Sequence, residues 1–322
     1  MVSQQAKIDL SPTLHAADKI DGLVYSQATG SPLLADLYLP RGATPPLPTV
    51  LWLHGGGWRI GDRKLGPDLG RFFAQSGFAM ASIDYRLSGQ AIFPAQVEDV
   101  KCAIRWLRSV ADRYGLRRDW IALWGSSAGG HLAALAAAAG PGVFETSEHS
   151  GFSGEPQAVV DGYGPTDFLQ VDAHRDPEGK PSDDPESVQL PRGKLSADAD
   201  SFESLLIGAP IATRPDLVRR ADPTTYVKPG LPPFLIMHGL SDTAIPAHQS
   251  ELLYDALART GNDATLVLIE GLGHGFFNRN HFRADADRVR LKATRDQTLA
   301  MLRGADAGFG MIETFLRRHL AD

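Results

Sequence analysis

Two adjacent serines stand between glycines in the stretch WGSSAGGHLAAL, residues 124–135. A serine hydroxyl can attack a carbonyl carbon once a base takes its proton, so the pattern raises the question of which serine is held for attack. A G-x-S-x-G frame fits only with Ser127 at its centre, because a frame on Ser126 would need glycine at Trp124 and Ala128. This frame is typical of a sharp strand-to-helix turn. We predict that Ser127 is the nucleophile and that the Ser126 hydroxyl makes local hydrogen bonds.

A nucleophilic serine needs a base that takes its proton and an acid that orients the base. Two loops that follow strand-like runs supply both residue types. The segment FLIMHGLSDTAIP places Asp242 just after one run, and TLVLIEGLGHGFF places His274 between glycines after the next. Because chemistry collects at the carboxyl ends of parallel strands, we predict Asp242 as the acid and His274 as the base.

Other residues compete for these two roles. The competitors are three acidic residues that follow strand-like runs and three further histidines: Asp161, Asp167, Glu270, His238, His248 and His281. Asp167 ranks next after Asp242 as the acid. We expect His238, at a strand end, to be a hydrogen-bonded core residue, and His248 to lie on the surface of the following helix.

The attacked carbonyl develops a negative oxygen that backbone N–H groups can stabilise, and losing one such donor costs about 3–4 kcal/mol. The segment LWLHGGGWRIGDR has three consecutive glycines directly after an apolar run. Glycine lets the backbone turn its amides toward a ligand without side-chain obstruction. We predict an oxyanion hole formed by the N–H groups of Gly56, Gly57 and Ala128. Trp58 and Tyr163 are predicted to line the substrate pocket.

Strand-like apolar runs alternate with helical patterns along most of the chain. The runs are nearly continuous in apolar residues, which is typical of parallel strands covered on both faces. We predict an α/β fold with a mostly parallel central sheet and helices on both faces. Two segments interrupt the alternation, a polar one at about 165–233 and a charged one at about 277–300. We expect residues 1–322 to form one domain in which the first segment is a small cap-like insertion.

Composition limits the classes of partner. The net charge of −6 disfavours nucleic acid, which needs a basic face. Cys102 is the single cysteine, and the 10 histidines show no metal-binding spacing, so we predict no disulfide and no metal site. The first residues lack a signal-peptide pattern, and no apolar stretch is long enough to span a membrane. We expect a cytoplasmic protein without a membrane partner. A secreted protein is the alternative if a signal peptide was removed.

Together these motifs resemble the α/β-hydrolase superfamily, and in particular bacterial esterases of the bifunctional feruloyl and acetyl xylan esterase type, which are related to the hormone-sensitive-lipase group. The resemblance runs from about Leu33 to the C-terminus. It is carried by HGGGWRIGDR, DYRLSGQAIFPAQVEDVKCAIRWLR, WGSSAGGHLAAL, PPFLIMHGLSDTAIP and GLGHGFF. It implies an α/β-hydrolase fold and hydrolysis of a small-molecule ester without a metal or organic cofactor, with Ser127, Asp242 and His274 as the triad.

Two alternatives stay open from the sequence. Aryl formamidases share an HGG-x-W loop and a similar serine turn, so an amidohydrolase is one. A non-catalytic binding protein with a hydrolase fold is the other. Within the esterases, the part of the insertion at 171–200 is acidic and rich in proline, unlike an apolar lipase lid. We therefore expect a serine ester hydrolase for short-chain acyl or aryl esters of the acetyl or feruloyl type.

Overall fold

The computed structural model describes residues 17–27, 30–71, 73–176, 195–279, 286–296 and 308–320. His281, the acidic stretch at 177–194 and residues 297–300 of the predicted charged segment lie outside the described residues. Within the described ranges, nine strands form one sheet. Their bounds are β1 (Ala17–Ser26), β2 (Leu33–Pro40), β3 (Leu47–Leu53), β4 (Ala79–Ile83), β5 (Leu116–Ser126), β6 (Ala158–Gly162), β7 (Phe234–Gly239), β8 (Ala264–Ile269) and β9 (Val289–Ala293).

The strand order across the sheet is β1-β2-β4-β3-β5-β6-β7-β8-β9. The strands from β4 through β3, β5, β6 and β7 to β8 run parallel to their neighbours, and the pairs at the two edges are antiparallel. Every residue of β3, β4, β6, β7 and β8 is buried, which is why these strands are continuous apolar runs. The predicted mostly parallel sheet is confirmed.

Helices cover the sheet on both faces. Their bounds are α1 (Ala95–Ser109), α2 (Ala111–Tyr114), α3 (Ala128–Ala139), α4 (Phe202–Ile207), α5 (Pro215–Ala221), α6 (His248–Arg259) and α7 (Phe309–Leu320). Alternate residues of β3 enter two hydrophobic clusters. Leu51 and Leu53 pack in the cluster that includes α1, α3 and α6, whereas Val50 and Trp52 pack in the cluster that includes α7. This two-sided core places the strand ends, and the loops that follow them, at one edge of the sheet.

The edge strands were not among the predicted runs. β9 lies inside the segment at 277–300 that the sequence marks only as charged, and it pairs antiparallel with β8. Its residues alternate between half-buried and exposed, and the exposed Arg290 donates from Nε to Glu270 Oε1 at 3.0 Å. An edge strand that faces water on one side can carry charged side chains, so it shows no continuous apolar run.

The turn from β5 into α3 depends on close backbone contacts at glycines. A Cβ atom added to Gly125 would lie 2.1 Å from the carbonyl oxygen of Gly129, and one added to Gly129 would lie 2.1 Å from the carbonyl oxygen of Leu53. Both approaches are far shorter than a van der Waals contact, so only glycine fits at either position. The first turn of α3 therefore packs directly on the ends of β5 and β3.

We expect Gly125→Ala to lower the free energy of unfolding by about 3 kcal/mol, because its methyl group overlaps a backbone carbonyl that cannot move aside cheaply. Gly151→Ala is the matched control, since a Cβ there meets nothing within 4 Å. Urea unfolding followed by tryptophan fluorescence measures both. Equal unfolding midpoints for the two variants would contradict this account of the turn.

Candidate active site

Ser127 lies between the last residue of β5 and the first residue of α3. Its backbone adopts φ 52° and ψ −118°, a region that non-glycine residues enter only under strain. Its N–H donates to the carbonyl of Gly162 at 2.7 Å, and its own carbonyl accepts from His131 N–H at 3.0 Å. These bonds hold the turn to the end of β6 and start the helix. The side chain is thereby held at the carboxyl edge of the sheet.

The structure brings Ser127, His274 and Asp242 together. His274 Nε2 lies 2.8 Å from Ser127 Oγ, and His274 Nδ1 lies 2.7 Å from Asp242 Oδ2. The carboxylate can only accept, so Nδ1 carries the proton and Nε2 accepts from the serine hydroxyl. All three residues are buried, with 4%, 1% and 7% exposure respectively. The arrangement can take a proton from the serine hydroxyl and stabilise the imidazolium that results.

Asp242 is held by backbone as well as side-chain donors. Its Oδ1 accepts from the N–H groups of Ala244 and Ile245, each at 2.9 Å. Burial alone would raise the pKa of Asp242, but attraction to His274 and hydrogen bonds from His238 and His274 hold it well below its usual value. The carboxylate is therefore ionised and fixed in orientation.

His238 is buried and hydrogen-bonded in the core, as its position at a strand end indicates. His238 Nε2 also lies 3.2 Å from Asp242 Oδ2, a contact that the sequence did not predict. The spacing in HGLSD, four residues from histidine to aspartate, was the available signal. That spacing brings the two side chains together only because the chain turns back directly after β7.

The predicted oxyanion loop follows β3 next to the Ser127 turn. The register of β3 and β5 pairs Leu53 with Gly125, so both strands end at the same level. Gly56 and Gly57 have φ values of 101° and 58°, and a Cβ on Gly57 would overlap the ring of Phe202. Ala128 is the first residue of α3, so its own helix offers no acceptor for its N–H. That these N–H groups form an oxyanion hole stays a prediction.

An aromatic stack that the sequence did not predict contacts the start of the predicted oxyanion loop. The rings of His54 and Tyr85 are parallel, 4.3 Å apart, and Tyr85 donates its hydroxyl to the carbonyl of His54 at 2.9 Å. Burial lowers the pKa of His54, which favours the neutral ring in this stack.

The prediction for the Ser126 hydroxyl is wrong. Ser126 is fully buried, and its Oγ has no hydrogen-bond partner among the described residues. The reason is its position as the last residue of β5, where it pairs with Gly162 of β6 and its side chain is buried in the interior of the fold. Its hydroxyl is therefore kept away from the base that contacts Ser127.

The two predicted pocket residues are both buried beside the triad elements. The Trp58 ring packs at 5.1 Å from His131 on α3 and at 5.3 Å from Phe168. The Tyr163 ring presents its edge to His274 at 4.9 Å, and its hydroxyl accepts from Phe277 N–H at 3.1 Å. Tyr163 thus supports the loop that carries the base. Contact of either residue with a substrate stays a prediction.

The competing acids make other contacts. Asp161 is buried on β6 and accepts from Gly164 N–H at 3.1 Å, and Asp167 caps a short turn by accepting from Leu169 N–H at 3.0 Å. Glu270 pairs with Arg290, as described above. His248 begins α6 and stacks on His174, with ring centroids 3.7 Å apart. The tertiary structure therefore selects Asp242 as the carboxylate that contacts His274.

The described part of the insertion at 165–233 packs against the site. Phe202, at the start of α4, lies over Gly57. The carbonyl of Ala221, the last residue of α5, accepts from His131 Nε2 at 2.7 Å. Among the described residues, no group of three or more His, Cys, Asp or Glu side chains could hold a metal ion. None of the described helices is long and apolar enough to cross a membrane.

The fold and the site define an α/β-hydrolase, and comparisons with known proteins identify its family. The BD-FAE family matches residues 35–257, more than two thirds of the chain. The chain therefore belongs to the BD-FAE family, and the predicted resemblance is confirmed.

Individual relatives agree with this assignment. Esterase LipC of Mycobacterium tuberculosis (strain ATCC 25618 / H37Rv) is 32% identical over 72% of this chain and 54% of its own length. A truncated carbohydrate esterase from gut microbiota superposes with TM-score 0.70 at 27% identity, over 84% of this chain and 93% of that one. Butyrate-bound Est2 of Thermogutta terrifontis gives TM-score 0.62 at 25% identity, over 84% and 88%. The chain spans about half the length of the curated relatives it matches.

Because the Asp161 carboxyl is buried, we expect the free energy of unfolding to depend on pH. Burial raises the pKa of Asp161 to about 6 from 3.8, so the native state holds this proton more tightly than the unfolded chain does. The stability that this proton provides is present below about pH 4 and is lost as pH rises through about 6. Asp161→Asn is neutral throughout. Its free energy of unfolding should therefore gain about 3 kcal/mol relative to the parent between pH 4 and pH 7.

Urea unfolding of both proteins at each pH measures this difference. Asparagine keeps an oxygen that can accept from Gly164 N–H, so the comparison isolates the charge. A difference between the two proteins that does not change with pH would contradict the assignment of a raised pKa to Asp161.

Proposed function

We propose that this protein is a carboxylic ester hydrolase that uses Ser127 as its nucleophile and works through an acyl-enzyme. The observation that carries the proposal is the continuous hydrogen-bonded chain from Ser127 through His274 to Asp242. A serine is a weak nucleophile without a base, and a base is poorly oriented without an acid, so the three together give the proposal its chemistry. Membership of the BD-FAE family and the esterase names of the relatives support it.

In the acylation step, Ser127 Oγ attacks the ester carbonyl carbon while its proton passes to His274 Nε2. The carbonyl oxygen becomes an oxyanion, for which we propose the N–H groups of Gly56, Gly57 and Ala128 as donors. The intermediate then breaks its bond to the alcohol oxygen, which leaves with the proton from His274. The products of this step are a free alcohol and an acyl-serine.

In the deacylation step, a water oxygen attacks the acyl carbonyl carbon and gives a proton to His274. Collapse of the second intermediate breaks the bond to Ser127 Oγ, which takes that proton back. The carboxylic acid is released and the enzyme returns to its starting state. Proton transfer by the histidine contributes about 10²–10⁴-fold to the rate in such reactions.

We propose short-chain acyl or aryl esters, of the acetyl or feruloyl type, as the substrate class. Phe202 lies over Gly57 of the proposed oxyanion loop, and Trp58 and Tyr163 are buried aromatic residues near the triad, which supports a small acyl site. Two solved relatives fit this class, one a carbohydrate esterase and one an esterase with butyrate bound. We also propose that the insertion at about 165–233 belongs to the same domain as the triad and covers the site.

Ser127→Ala should lower kcat for p-nitrophenyl acetate by about 10⁴-fold or more, because it removes the hydroxyl that contacts His274 Nε2. His274→Ala should cause a similar loss, since residues of one triad act as a unit. Ser126→Ala is the matched control and should keep most of the activity. Kinetics at saturating substrate, together with thermal unfolding to verify the fold, measure all three variants.

A fluorophosphonate probe tests the same assignment covalently. Peptide mapping should find the label on Ser127 in the parent protein and in Ser126→Ala. Label on Ser126, or full activity of Ser127→Ala, would show that the nucleophile is misassigned.

The acyl-chain preference is a separate prediction. We expect kcat/KM for dissolved p-nitrophenyl acetate and butyrate to exceed that for the decanoate by at least about tenfold, because the small acyl site that we propose would accept a short chain and exclude a long one. Rates should rise hyperbolically below the solubility limit. A preference for the long chain, or a jump in rate on emulsified triglyceride, would contradict it.

Faster cleavage of a matched anilide than of the ester would favour an amidohydrolase.

A further inference from the structure

His238, on β7, is the buried histidine that the proposed reaction does not use. Its Nδ1 lies 2.7 Å from Ser250 Oγ on α6, and its Nε2 lies 2.9 Å from the carbonyl oxygen of Ile245. The same Nε2 lies 3.2 Å from Asp242 Oδ2, the oxygen that accepts from His274. The imidazole therefore bridges helix α6 and the turn that carries the triad acid.

These contacts determine the direction of the hydrogen bonds. Both atoms that face Nε2, a carbonyl oxygen and a carboxylate oxygen, can only accept, so Nε2 carries a proton. A hydroxyl can donate or accept, and Ser250 donates to Nδ1 when the ring is neutral. His238 thus donates its Nε2–H to the Ile245 carbonyl, and the same nitrogen lies 3.2 Å from Asp242 Oδ2.

With His238 counted, four nitrogen atoms surround the Asp242 carboxylate. Oδ1 accepts from two backbone N–H groups and Oδ2 faces two imidazole nitrogens. A carboxylate has about four lone-pair sites, so this set fixes both its rotation and its charge distribution. Ile245 donates its N–H to Asp242 Oδ1, and its carbonyl accepts a hydrogen bond from His238 Nε2. The imidazole of His238 therefore contacts both ends of the turn from Asp242 to Ile245.

We infer that His238 is a positioning residue for the reaction. Its Nε2–H holds Asp242 Oδ2 in line with His274 Nδ1 and withdraws part of the negative charge from that oxygen. The inference rests on the proposed function, since it gives the triad acid a partner of its own. A positioning role and a purely space-filling role predict different results. If His238 positions Asp242, activity depends on the N–H group at this position and not on the ring.

The charge effect has a definite sign. Without the Nε2–H, Asp242 Oδ2 is a stronger base and attracts the His274 imidazolium more strongly, so His274 keeps its proton to higher pH. Among the described residues, Tyr163 packs against His274, His238 faces Asp242, and the charge of Asp161 interacts with His238. Replacing His238 alone leaves Tyr163 and Asp161 in place in every variant.

The experiment compares two replacements of His238. H238Q keeps an N–H donor at the reach of Nε2 but loses the ring, whereas H238F keeps the ring shape and loses the donor. The measurement is kcat/KM for p-nitrophenyl acetate from pH 4.5 to 9, divided by the fraction of active sites that a fluorophosphonate titrates. Ser250→Ala, on the far side of the ring, is the control for disturbing α6.

We expect H238F to lose about 10- to 100-fold in kcat/KM per active site, the loss typical of one hydrogen bond to a charged group. The midpoint of its acid limb should move to higher pH by about 0.5 to 1. H238Q and Ser250→Ala should stay within about threefold of the parent with an unmoved acid limb. Should H238F not fold, H238M takes its place, because its flexible side chain fills space without a donor.

The outcomes separate the inference from the proposed function. Equal losses in H238F and H238Q, or a loss in H238F with an unmoved acid limb, would overturn the inference and assign His238 to packing alone. Absence of ester hydrolysis in the parent, or full activity of Ser127→Ala, would instead overturn the proposed function.

Discussion

The strained backbone at Ser127 is the constraint on which the rest of the site depends. A positive φ at a non-glycine residue costs about 1–3 kcal/mol, and the surrounding structure must supply that energy. Here the first turn of α3 lies against the ends of β5 and β3 through glycine contacts, and the Ser127 N–H is bonded to the end of β6. Three adjacent strands therefore hold one residue. The position of Ser127 is therefore set by the centre of the sheet.

A second requirement is that a charged group stays ionised inside the protein. Burying the Asp242 carboxylate without partners would be costly, and the protein would protonate it or exclude it from the core. Two backbone N–H groups and two imidazoles surround it instead. Asp161 shows the contrast, since it is equally buried with fewer donors, and burial raises its pKa to about 6. The two carboxylates differ in the attraction of Asp242 to His274 and in the number of donors around them.

The strand order explains how distant loops meet. β7 and β8 are neighbours, so the loops that carry Asp242 and His274 begin side by side, while β6 separates them from β5 and Ser127. The His274 loop must therefore reach across the end of β6, where the Tyr163 hydroxyl accepts from Phe277 N–H and its ring supports the histidine. The described part of the insertion contacts the same region, with Phe202 over Gly57 and the carbonyl of Ala221 accepting from His131 on α3.

Local patterns in the sequence were sufficient to predict the mostly parallel sheet, the turn at Ser127 and the loops that carry Asp242 and His274. These features depend on residues close together in the chain, such as glycines that a tight turn requires and apolar runs that a buried strand requires. Other features were decided only by the tertiary structure: the selection of Asp242 over Asp161 and Asp167, the burial of the Ser126 hydroxyl, the charged edge strand β9, and the contact of His238 with Asp242. Each of these depends on which side chains from separate loops are brought within hydrogen-bond distance, and that follows from the strand order and from burial, which spacing along the chain does not encode.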